Sequence, residues 1–332
     1  MRIVICADAS KSIGLGHITR ALTLAQSLVR LGIEVVCVGR GVATGQQISP
    51  SFQTLEAREF SAPDVKSQLS FLMSISPDAL IFDGYHFSEE LFALIEKTCT
   101  PYAVIDDNGE TKAKNPFLVH NQNPHATTSL YSQFNRTPEF LLGLDFVLLR
   151  PEIAHLSSRK TRRDDVVVLS FGGTDVRNLT LPVLAGLIKG GHEVAVSHIF
   201  ENAETLSQLG KSAFRRVRFF APSSFLEVVS SSTIAVLGAG TSLWEANALK
   251  TPTVAVLVAE NQRNPANAAL KLGYVDGLVD GMGDVPSESV AINISEAVSR
   301  VLRGAPNKSI PRVPKNGSDI VANRFAVQLS KL

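Results

Sequence analysis

The fold is decided by the first thirty residues, which read MRIVICADASKSIGLGHITRALTLAQSLVR from Met1 to Arg30. The stretch Arg2–Cys6 is an apolar run after one arginine, which predicts a buried strand. After a glycine-containing loop, apolar residues recur at three- and four-residue intervals, as on one face of a helix; they are Ile18, Ala21, Leu22, Ala25, Leu28 and Val29. A strand, a loop and an amphipathic helix in this order predict the first half of a βαβ unit, and hence a parallel sheet.

The same alternation of strand and helix continues along the chain and occurs twice. In the first half, further strands are predicted at Glu34–Val38, Ala79–Phe82 and Tyr102–Ile105. In the second half, strands are predicted at Val166–Phe171, Glu193–Ile199, Val217–Phe220, Ile234–Leu237 and Thr253–Val258, with helices at Ser242–Leu249 and Asn267–Leu272 between or after them. We therefore expect an α/β protein with two Rossmann-like domains that face each other across a cleft.

The domain boundaries follow from composition. We expect a first domain at residues 1–150, a linker at 151–165 that is rich in Ser, Lys and Arg, and a second domain at 166–315. A final helix at residues 316–332 follows the proline-rich segment 310–314, which is able to carry that helix back onto the first domain.

Composition limits the classes of function. The chain has 332 residues, of which 45% are hydrophobic and 19% charged, so intrinsic disorder is excluded. The net charge is +1, and we expect no nucleic-acid partner, because polyanion binding depends on clustered Lys and Arg. The three cysteines are scattered, and the longest uncharged stretch is too polar to span a bilayer. We expect a cytoplasmic monomer without stable membrane insertion.

The loop after the first strand contains Gly14-Leu15-Gly16-His17, and Arg20 follows one helical turn later. Glycines let the backbone approach a ligand closely, and a helix start favours an anion. The helix dipole and Arg20 are expected to lower the pKa of His17 and keep the imidazole neutral, which makes it a candidate general base. The alternative is that His17 only caps the helix while Arg20 pairs with a nearby acid.

Two further strand ends in the first half carry polar groups, Asp83-Gly84-Tyr85 and Asp106-Asp107. Taken singly, each is typical of turn chemistry, because Asp, Asn and Gly end strands in many folds. A divalent metal at Asp83, Asp106 or Asp107 is an alternative that no spacing demands. The segment His120–His125 is interpreted as a polar surface loop and not as a metal site.

The second half has a matching set of strand ends. Gly172-Gly173 follows its first strand, Gly240-Thr241-Ser242 opens a helix that contains Glu245, and Asn261-Gln262 follows a later strand. Small residues and hydroxyls at a helix start suit a diphosphate, and Glu245 could accept ribose hydroxyls. The alternatives are a capping box between Ser242 and Glu245 and a solvated turn at Asn261. Together, the six strand ends predict an interdomain site for a phosphorylated, polyhydroxylated ligand.

These motifs occur in an order that resembles a known family. The motif residues are Gly14-x-Gly16-His17-x-x-Arg20, Asp83-Gly84-Tyr85, Ile105-Asp106-Asp107, Leu149–Glu152, Phe171–Asp175, Gly238–Glu245 and Asn261-Gln262. They resemble the UDP-2,4-diacetamido-2,4,6-trideoxy-altropyranose hydrolases of pseudaminic acid biosynthesis and, more distantly, the glycosyltransferase that makes lipid II. The resemblance covers Met1 to about Gly273, and it implies a GT-B-like pair of Rossmann domains.

The resemblance also implies roles for single residues. His17 would activate water for attack on the anomeric carbon, with Tyr85 and Asn261 around the sugar and the water. The Gly172-Gly173 turn and the Gly240–Ser242 turn would hold the diphosphate of UDP, and Glu245 the ribose. The remaining candidates for substrate contact are Gly14, Gly16, Arg20, Asp83 and Gln262. The reaction would cleave the C–O bond with inversion, without an obligatory metal or other cofactor.

Three functions are compatible with these observations. The first is hydrolysis of a UDP-sugar for a nonulosonic acid or another surface glycan. The second is a glycosyltransferase on the same scaffold, in which His17 deprotonates an acceptor hydroxyl. The third is a non-catalytic nucleotide-sugar-binding protein. The joint presence of His17, Arg20, Tyr85 and Asn261 favours an enzyme, because binding alone needs no activated base.

Overall fold

The computed structural model describes residues 1–9, 14–60, 64–159, 163–173, 175–283, 286–304 and 310–332. The chain divides into two compact units. The first unit is Met1–Arg150 together with Pro314–Leu332, and the second is Pro151–Val313. Part of the predicted first loop (residues 10–13), part of the predicted linker (160–162) and Thr174 of the Phe171–Asp175 motif lie outside the described residues.

The first unit is a parallel sheet with helices on both faces. Its strands in the described residues are β1 (Arg2–Ala7), β2 (Glu34–Gly39), β3 (Glu56–Glu59), β4 (Ala79–Asp83), β5 (Tyr102–Ile105), β6 (Leu118–Asn121) and β7 (Glu139–Leu142), in the spatial order β3-β2-β1-β4-β5-β6-β7. Every pairing between them is parallel. Its helices are α1 (Gly16–Arg30), α2 (Val42–Gln46), α3 (Val65–Ser74), α4 (Glu89–Lys97) and α13 (Gly317–Leu329).

The second unit repeats this plan with a six-stranded sheet in its described residues. The strands are β8 (Asp164–Ser170), β9 (Glu193–Ser197), β10 (Val217–Phe220), β11 (Ser232–Gly238), β12 (Thr253–Leu257) and β13 (Gly277–Asp280), in the order β10-β9-β8-β11-β12-β13. The helices are α5 (Glu152–Leu156), α6 (Thr180–Lys189), α7 (Ala203–Leu209), α8 (Lys211–Phe214), α9 (Phe225–Ser231), α10 (Ser242–Ala248), α11 (Arg263–Lys271) and α12 (Ser287–Arg303). The predicted fold class, two Rossmann-like α/β domains, is confirmed.

Strand β1 shows why a continuous apolar run becomes the centre of such a sheet. Ile3 and Ile5 pack into the core beneath α1 and α13, whereas Val4 and Cys6 point to the opposite core beneath α3 and α4. Successive side chains alternate between the two faces of a strand, so a strand covered on both faces must be apolar at every position.

The strands that sequence reasoning missed lack this signature. β3 reads Glu56-Ala57-Arg58-Glu59 and lies at the edge of its sheet, where charged side chains reach solvent. β6, β7 and β13 have four residues each, and each includes polar or charged residues at one end, namely His120 and Asn121, Glu139, and Asp280. The segment 151–165, predicted as a linker, contains helix α5 and the start of β8 at Asp164.

The last helix, α13, packs on α1 of the first unit. Val321, Ala322 and Phe325 are buried in the same core as Ile18 and Leu22 of α1. The helix begins at Gly317, where a Cβ atom would lie 2.4 Å from the carbonyl oxygen of Val147, so only glycine fits there. The helix ends at Leu329, three residues before the predicted end of the chain's helical segment at Leu332.

In each unit, the strand order reverses beside the first strand of that unit. The chain leaves β1 toward β2 and β3 and later returns on the other side of β1 with β4. In the second unit, β8 and β11 have the same relation. Ligands of open parallel sheets bind outside the carboxyl ends of the two strands at such a switch point. A ligand site is therefore expected at the loops after β1 and β4 in the first unit, and at those after β8 and β11 in the second.

None of the helices in the described part of the chain combines the length and the apolar character needed to cross a membrane.

We predict that Phe325→Ala lowers the free energy of unfolding of the first unit by about 3–5 kcal/mol, because it leaves a cavity under α1. Val327→Ala is the matched control on the same helix, since Val327 is 48% exposed, and it should cost no more than about 0.5 kcal/mol. Urea denaturation followed by far-ultraviolet circular dichroism measures both. Equal effects of the two substitutions would show that α13 does not contribute to this core.

Candidate functional site

The site in the first unit begins with the loop between β1 and α1. Gly14 has φ +80°, a left-handed conformation that favours glycine, and it turns the chain into α1, whose first residue is Gly16. His17 and Arg20 are one helical turn apart and are 8% and 4% exposed. Helix α1 therefore holds both side chains at the carboxyl end of β1, beside the end of β4.

His17 forms a short hydrogen bond with Asp83, the last residue of β4. The distance between His17 Nδ1 and Asp83 Oδ1 is 2.6 Å, and Asp83 is fully buried. A carboxylate only accepts hydrogen bonds, so Nδ1 carries the hydrogen of this bond and is the donor to Asp83. In the neutral ring, Nε2 then has the lone pair. The ring of Tyr85 meets the imidazole edge-on, with centroids 5.4 Å apart.

Arg20 joins the two acidic strand ends of the first unit. Its Nε and Nη2 donate to Asp83 Oδ2 and Oδ1 at 2.6 and 2.7 Å, and its Nη1 donates to both carboxylate oxygens of Asp107 at 2.7 and 2.9 Å. A guanidinium is the one side chain with enough rigid donors for this double contact. Of the alternative in which His17 only caps the helix while Arg20 pairs with an acid, the part on Arg20 is confirmed. The part on His17 is wrong, because the N-cap of α1 is Leu15 and His17 contacts Asp83, one of the two acids that Arg20 binds.

The charges of this cluster support one another. Burial alone would disfavour the charged carboxyl of Asp83, but the charge and hydrogen bonds of Arg20 outweigh it and hold the pKa of Asp83 below its usual value. The same balance lowers the pKa of Asp107, and the two carboxylates raise the pKa of Arg20 well above its usual value. Two carboxylates face one guanidinium, so these three side chains together carry one excess negative charge.

A group of buried amides supports Asp107 from β6. Asn123 Nδ2 donates to Asp107 Oδ1 at 2.7 Å, and Asn121 Nδ2 donates to the main-chain oxygen of Asp107 at 3.0 Å. Tyr85 also donates its hydroxyl hydrogen to Asp107 Oδ2, at 3.0 Å. Asp107 is therefore held from several sides in the orientation that receives Arg20.

The prediction of a surface loop at His120–His125 is wrong for its first four residues. His120, Asn121, Gln122 and Asn123 are between 0% and 5% exposed. His120 Nε2 donates to the carbonyl oxygen of Phe146 at 2.7 Å, and burial lowers the pKa of His120 to about 4, so the ring is neutral. The sequence does contain a signal for a strand end here. Four polar residues follow the apolar pair Leu118-Val119, just as polar residues follow the other predicted strands.

The adjacent Asp106 has a structural role. It accepts hydrogen bonds from the main-chain N–H groups of Asn108, Gly109, Glu110 and Thr111 and so shapes the loop after β5. Asp83 and Asp107, for their part, are occupied by Arg20. Within the residues that the structure describes, no group of three or more His, Cys, Asp or Glu side chains could hold a metal ion.

A second ionic cluster at the same sheet edge was missed by sequence reasoning. Asp8, after β1, accepts hydrogen bonds from the main-chain N–H and Nε of Arg40, after β2, at 3.0 and 2.7 Å. His86, after β4, has its Nε2 3.5 Å from Asp8 Oδ2. Burial lowers the pKa of His86, which the charge of Asp8 only partly opposes. Single charged residues after three separate strands give no sequence signal of their contact.

In the second unit, the candidate residues lie at the carboxyl ends of β8, β11 and β12. Gly172 has φ +87°, which sets the turn that continues through Gly173. A Cβ atom on Gly240 would have Gln262 Nε2 as its nearest neighbour, at 3.9 Å. Gln262 Oε1 accepts a hydrogen bond from the main-chain N–H of Val258 at 3.0 Å, which directs the Nε2 of this amide toward Gly240.

The helix that follows Gly240 is short. Thr241 precedes α10, which begins at Ser242, and the Thr241 side chain makes no capping hydrogen bond in the described residues. Glu245 lies in the first turn of α10 and is 3% exposed, whereas Asn261 is an exposed residue of the 3₁₀ turn Glu260–Gln262. The assigned contacts of Thr241, Ser242, Glu245 and Asn261 with a nucleotide sugar, and the cleft expected between the domains, stay predictions.

The structure thus collects Gly14, Gly16, His17, Arg20, Asp83 and Tyr85 at one switch point, and Gly172, Gly173, Gly240 and Gln262 at the other. Two Rossmann-like units built in this way define a protein of the GT-B fold class. A solved structure of this class, the UDP-GlcNAc 2-epimerase of Methanocaldococcus jannaschii in complex with UDP-GlcNAc and UDP, is similar with a TM-score of 0.63 at 12% identity, over 98% of this chain and all of that one.

Among sequences, the chain is similar to the UDP-2,4-diacetamido-2,4,6-trideoxy-beta-L-altropyranose hydrolase of Campylobacter jejuni, with 24% identity over 276 residues, 82% of this chain and 98% of that protein. It is also 23% identical over 287 residues to an uncharacterised protein of M. jannaschii; this match covers 82% of this chain but spans only 58% of that longer relative. No protein-family model matches the sequence.

We predict that the ion cluster makes the first unit sensitive to acid. Asp83 and Asp107 have lowered pKa values in the folded state, so their contribution to stability is complete above about pH 4 and is lost as the pH falls toward the folded values. In Asp107→Asn, the loss of unfolding free energy between pH 5 and pH 3 should be smaller by about 1 kcal/mol.

Urea denaturation at the two pH values, followed by circular dichroism, measures this difference. The single tryptophan, Trp244, belongs to the second unit and reports that unit separately by fluorescence. Asp165→Asn, a change at an exposed carboxylate, should keep the wild-type pH dependence. An unchanged pH dependence in Asp107→Asn would contradict the assigned ion pair.

Proposed function

We propose that this protein hydrolyses a UDP-sugar to UDP and the free sugar, with His17 as the general base. The observation that carries the proposal is the hydrogen bond of His17 Nδ1 to buried Asp83 at a topological switch point. Among the residues that the structure describes, Nε2 of His17 makes no hydrogen bond, so this nitrogen is available to accept a proton from water.

Asp83 is proposed to orient the base. A buried carboxylate on Nδ1 keeps a histidine in one tautomer and stabilises the imidazolium that forms when Nε2 takes a proton, as in hydrolases with a Ser-His-Asp triad. Arg20 keeps Asp83 ionised while Asp107, held by Asn123, keeps Arg20 in place. The hydrogen bond from Nδ1 to Asp83 is retained when Nε2 takes the proton during the reaction.

Hydrolysis replaces the bond between the anomeric carbon and UDP with a bond to the oxygen of water. The oxygen of water attacks the anomeric carbon, and its proton passes to Nε2 of His17. The bond between the anomeric carbon and the diphosphate oxygen breaks, its electron pair leaves with UDP, and the configuration at the anomeric carbon is inverted. Tyr85 beside the imidazole and Asn261 are proposed to position the sugar and the attacking water.

UDP is assigned to the second unit. Gly172-Gly173 and the turn Gly240–Ser242 follow the two strands at its switch point, where main-chain N–H groups can surround a diphosphate. The amide of Gln262 points toward the same turn. Glu245 is assigned to the ribose hydroxyls. A solved structure of similar fold holds UDP-GlcNAc and UDP, which supports a UDP-sugar as the class of ligand.

The sugar is proposed to be similar to 2,4-diacetamido-2,4,6-trideoxyhexose. This substrate class is supported by the name of the C. jejuni relative and by the order of motifs around His17, Asp83 and Asn261. The product would serve the synthesis of a nonulosonic acid, such as pseudaminic acid, or of another surface glycan.

We predict that His17→Ala and Asp83→Asn each lower kcat for UDP release by about 10²–10⁴, because one removes the base and the other its orienting group. UDP affinity of His17→Ala, measured by calorimetry, should be nearly unchanged. His155→Ala, at an exposed histidine of α5, is the control and should keep wild-type kcat.

The measurement is UDP release from a panel of UDP-sugars, with and without acceptor sugars or lipids, in ¹⁸O-labelled water. Label in the free sugar and none in UDP supports the proposed C–O cleavage. Release only in the presence of an acceptor would make the protein a glycosyltransferase. Loss of UDP binding in His17→Ala would make His17 a structural residue.

We predict that Glu245→Gln weakens UDP binding by at least about tenfold, because the ribose hydroxyls lose a charged acceptor. Glu227→Gln, on the exposed surface of α9, should bind UDP as the wild type does. Calorimetry with UDP and with uracil distinguishes the outcomes, since uracil lacks the ribose and should bind both variants equally. Wild-type UDP affinity in a folded Glu245→Gln protein would contradict the ribose assignment.

A further inference from the structure

The second unit has a groove that the proposed hydrolysis does not use. It has a volume of about 840 Å³ and lies between α6 and α12, with Gln208 of α7 at its border. None of its lining residues belongs to the candidate site.

The floor of the groove is formed by small side chains where the two helices meet closely. A Cβ atom on Gly186 of α6 would lie 3.1 Å from Ser295 Oγ and 3.5 Å from the Cβ of Ala291 in α12. Because no large side chain stands between the helices, the surface above them is open. Ile292 of α12 lines this surface and is 59% exposed, which is unusual for isoleucine.

Helix α12 gives the groove a charge pattern that changes sign along its length. Its acidic lining residues, Glu288 and Glu296, lie toward the amino end and the middle of the helix, whereas Arg300 and Arg303 lie at the carboxyl end. Among the residues that the structure describes, none of these four side chains makes an ion pair.

The two ends of this pattern are complementary to each other when two copies of α12 run antiparallel. If the helices cross between Ser295 and Glu296, Glu288 of each copy faces Arg303 of the other. The same crossing sets Ile292 against Ser299 in both directions. It also brings the two Glu296 side chains next to each other at the axis, so the attraction comes from the two Glu288–Arg303 pairs and is opposed at the centre. The lining residues of α12 lie three and four positions apart, so they form one continuous stripe on the helix surface. A parallel arrangement would instead bring like charges together.

We propose that this groove is the interface of a homodimer, occupied by α12 of a second copy of the chain about a twofold axis. A twofold interface must pair residue i with j and j with i, and the two Glu288–Arg303 pairs meet this condition. Helix α12 is about 25 Å long, so the interface is small and the dimer is weak, with a dissociation constant in the micromolar range. The monomer expected from sequence is then the form at low concentration.

The test uses charge reversal in the full-length chain. Sedimentation velocity of the wild type between about 1 and 200 µM should show a concentration-dependent dimer. Glu288→Arg places two arginines at each end of the interface, and Arg303→Glu places two glutamates there. Each variant alone should dimerise at least about tenfold more weakly than the wild type.

An equimolar mixture of the two variants, E288R and R303E, provides the decisive arm. At one end of the mixed dimer, the two introduced side chains face each other with opposite charge. At the other end, the native Arg303 of the first variant faces the native Glu288 of the second, so both ion pairs are restored. The mixture should therefore dimerise about as strongly as the wild type, which also shows that both variants are folded. Glu90→Arg, on α4 of the first unit, changes the charge equally at another exposed helix and should leave the dimer intact.

Three results would overturn the proposal. The first is a wild-type protein that stays monomeric over the whole concentration range, and the second is a dimer that neither single charge reversal weakens. The third is that the two weakened variants do not associate when mixed, although circular dichroism shows that both are folded at that concentration. UDP release does not enter this test, so its outcome is independent of the proposed hydrolysis.

Discussion

The buried guanidinium of Arg20 is the contact on which the first unit's site depends. It lies between two carboxylates that come from different strands, Asp83 at the end of β4 and Asp107 after β5, and it binds both with paired hydrogen bonds. Without this cation, two carboxylates would be buried beside each other without compensation, which a protein interior tolerates poorly. The hydrogen bond between Asp83 and His17 is built on this neutralisation.

The two units share the same topology at their switch points but place different types of residue there. Each has a switch point beside its first strand, where the diverging loops leave room for a ligand. In the first unit this space is surrounded by ionised and aromatic side chains. In the second unit it is surrounded by glycines, hydroxyl residues and one oriented amide, Gln262. Side chains with defined proton positions suit catalysis, and exposed main-chain groups suit a diphosphate. The proposed function accordingly assigns catalysis to the first unit and UDP binding to the second.

The last helix, α13, supports both the stability of the first unit and the position of its candidate site. Helix α13 returns to the first unit and completes the core behind α1, the helix that holds His17 and Arg20. The orientation of His17, the proposed base, thus depends on residues about 300 positions away in sequence. The groove between α6 and α12, in contrast, is lined by residues that belong to neither switch point, so the proposed association there is separable from the proposed chemistry.

The sequence by itself determined the fold class, most of the long strands, and the polar residues that follow them, because apolar period and glycine position are local properties. It identified His17, Arg20, Asp83 and Asp107 as separate candidates. Only the tertiary structure decided that Arg20 binds both acids, that Asp83 contacts His17, and that Asn121 and Asn123 are buried supports and not surface residues. These contacts join residues 63 to 87 positions apart or depend on burial. No local pattern encodes them, because which strand ends become neighbours is set by strand order in the sheet.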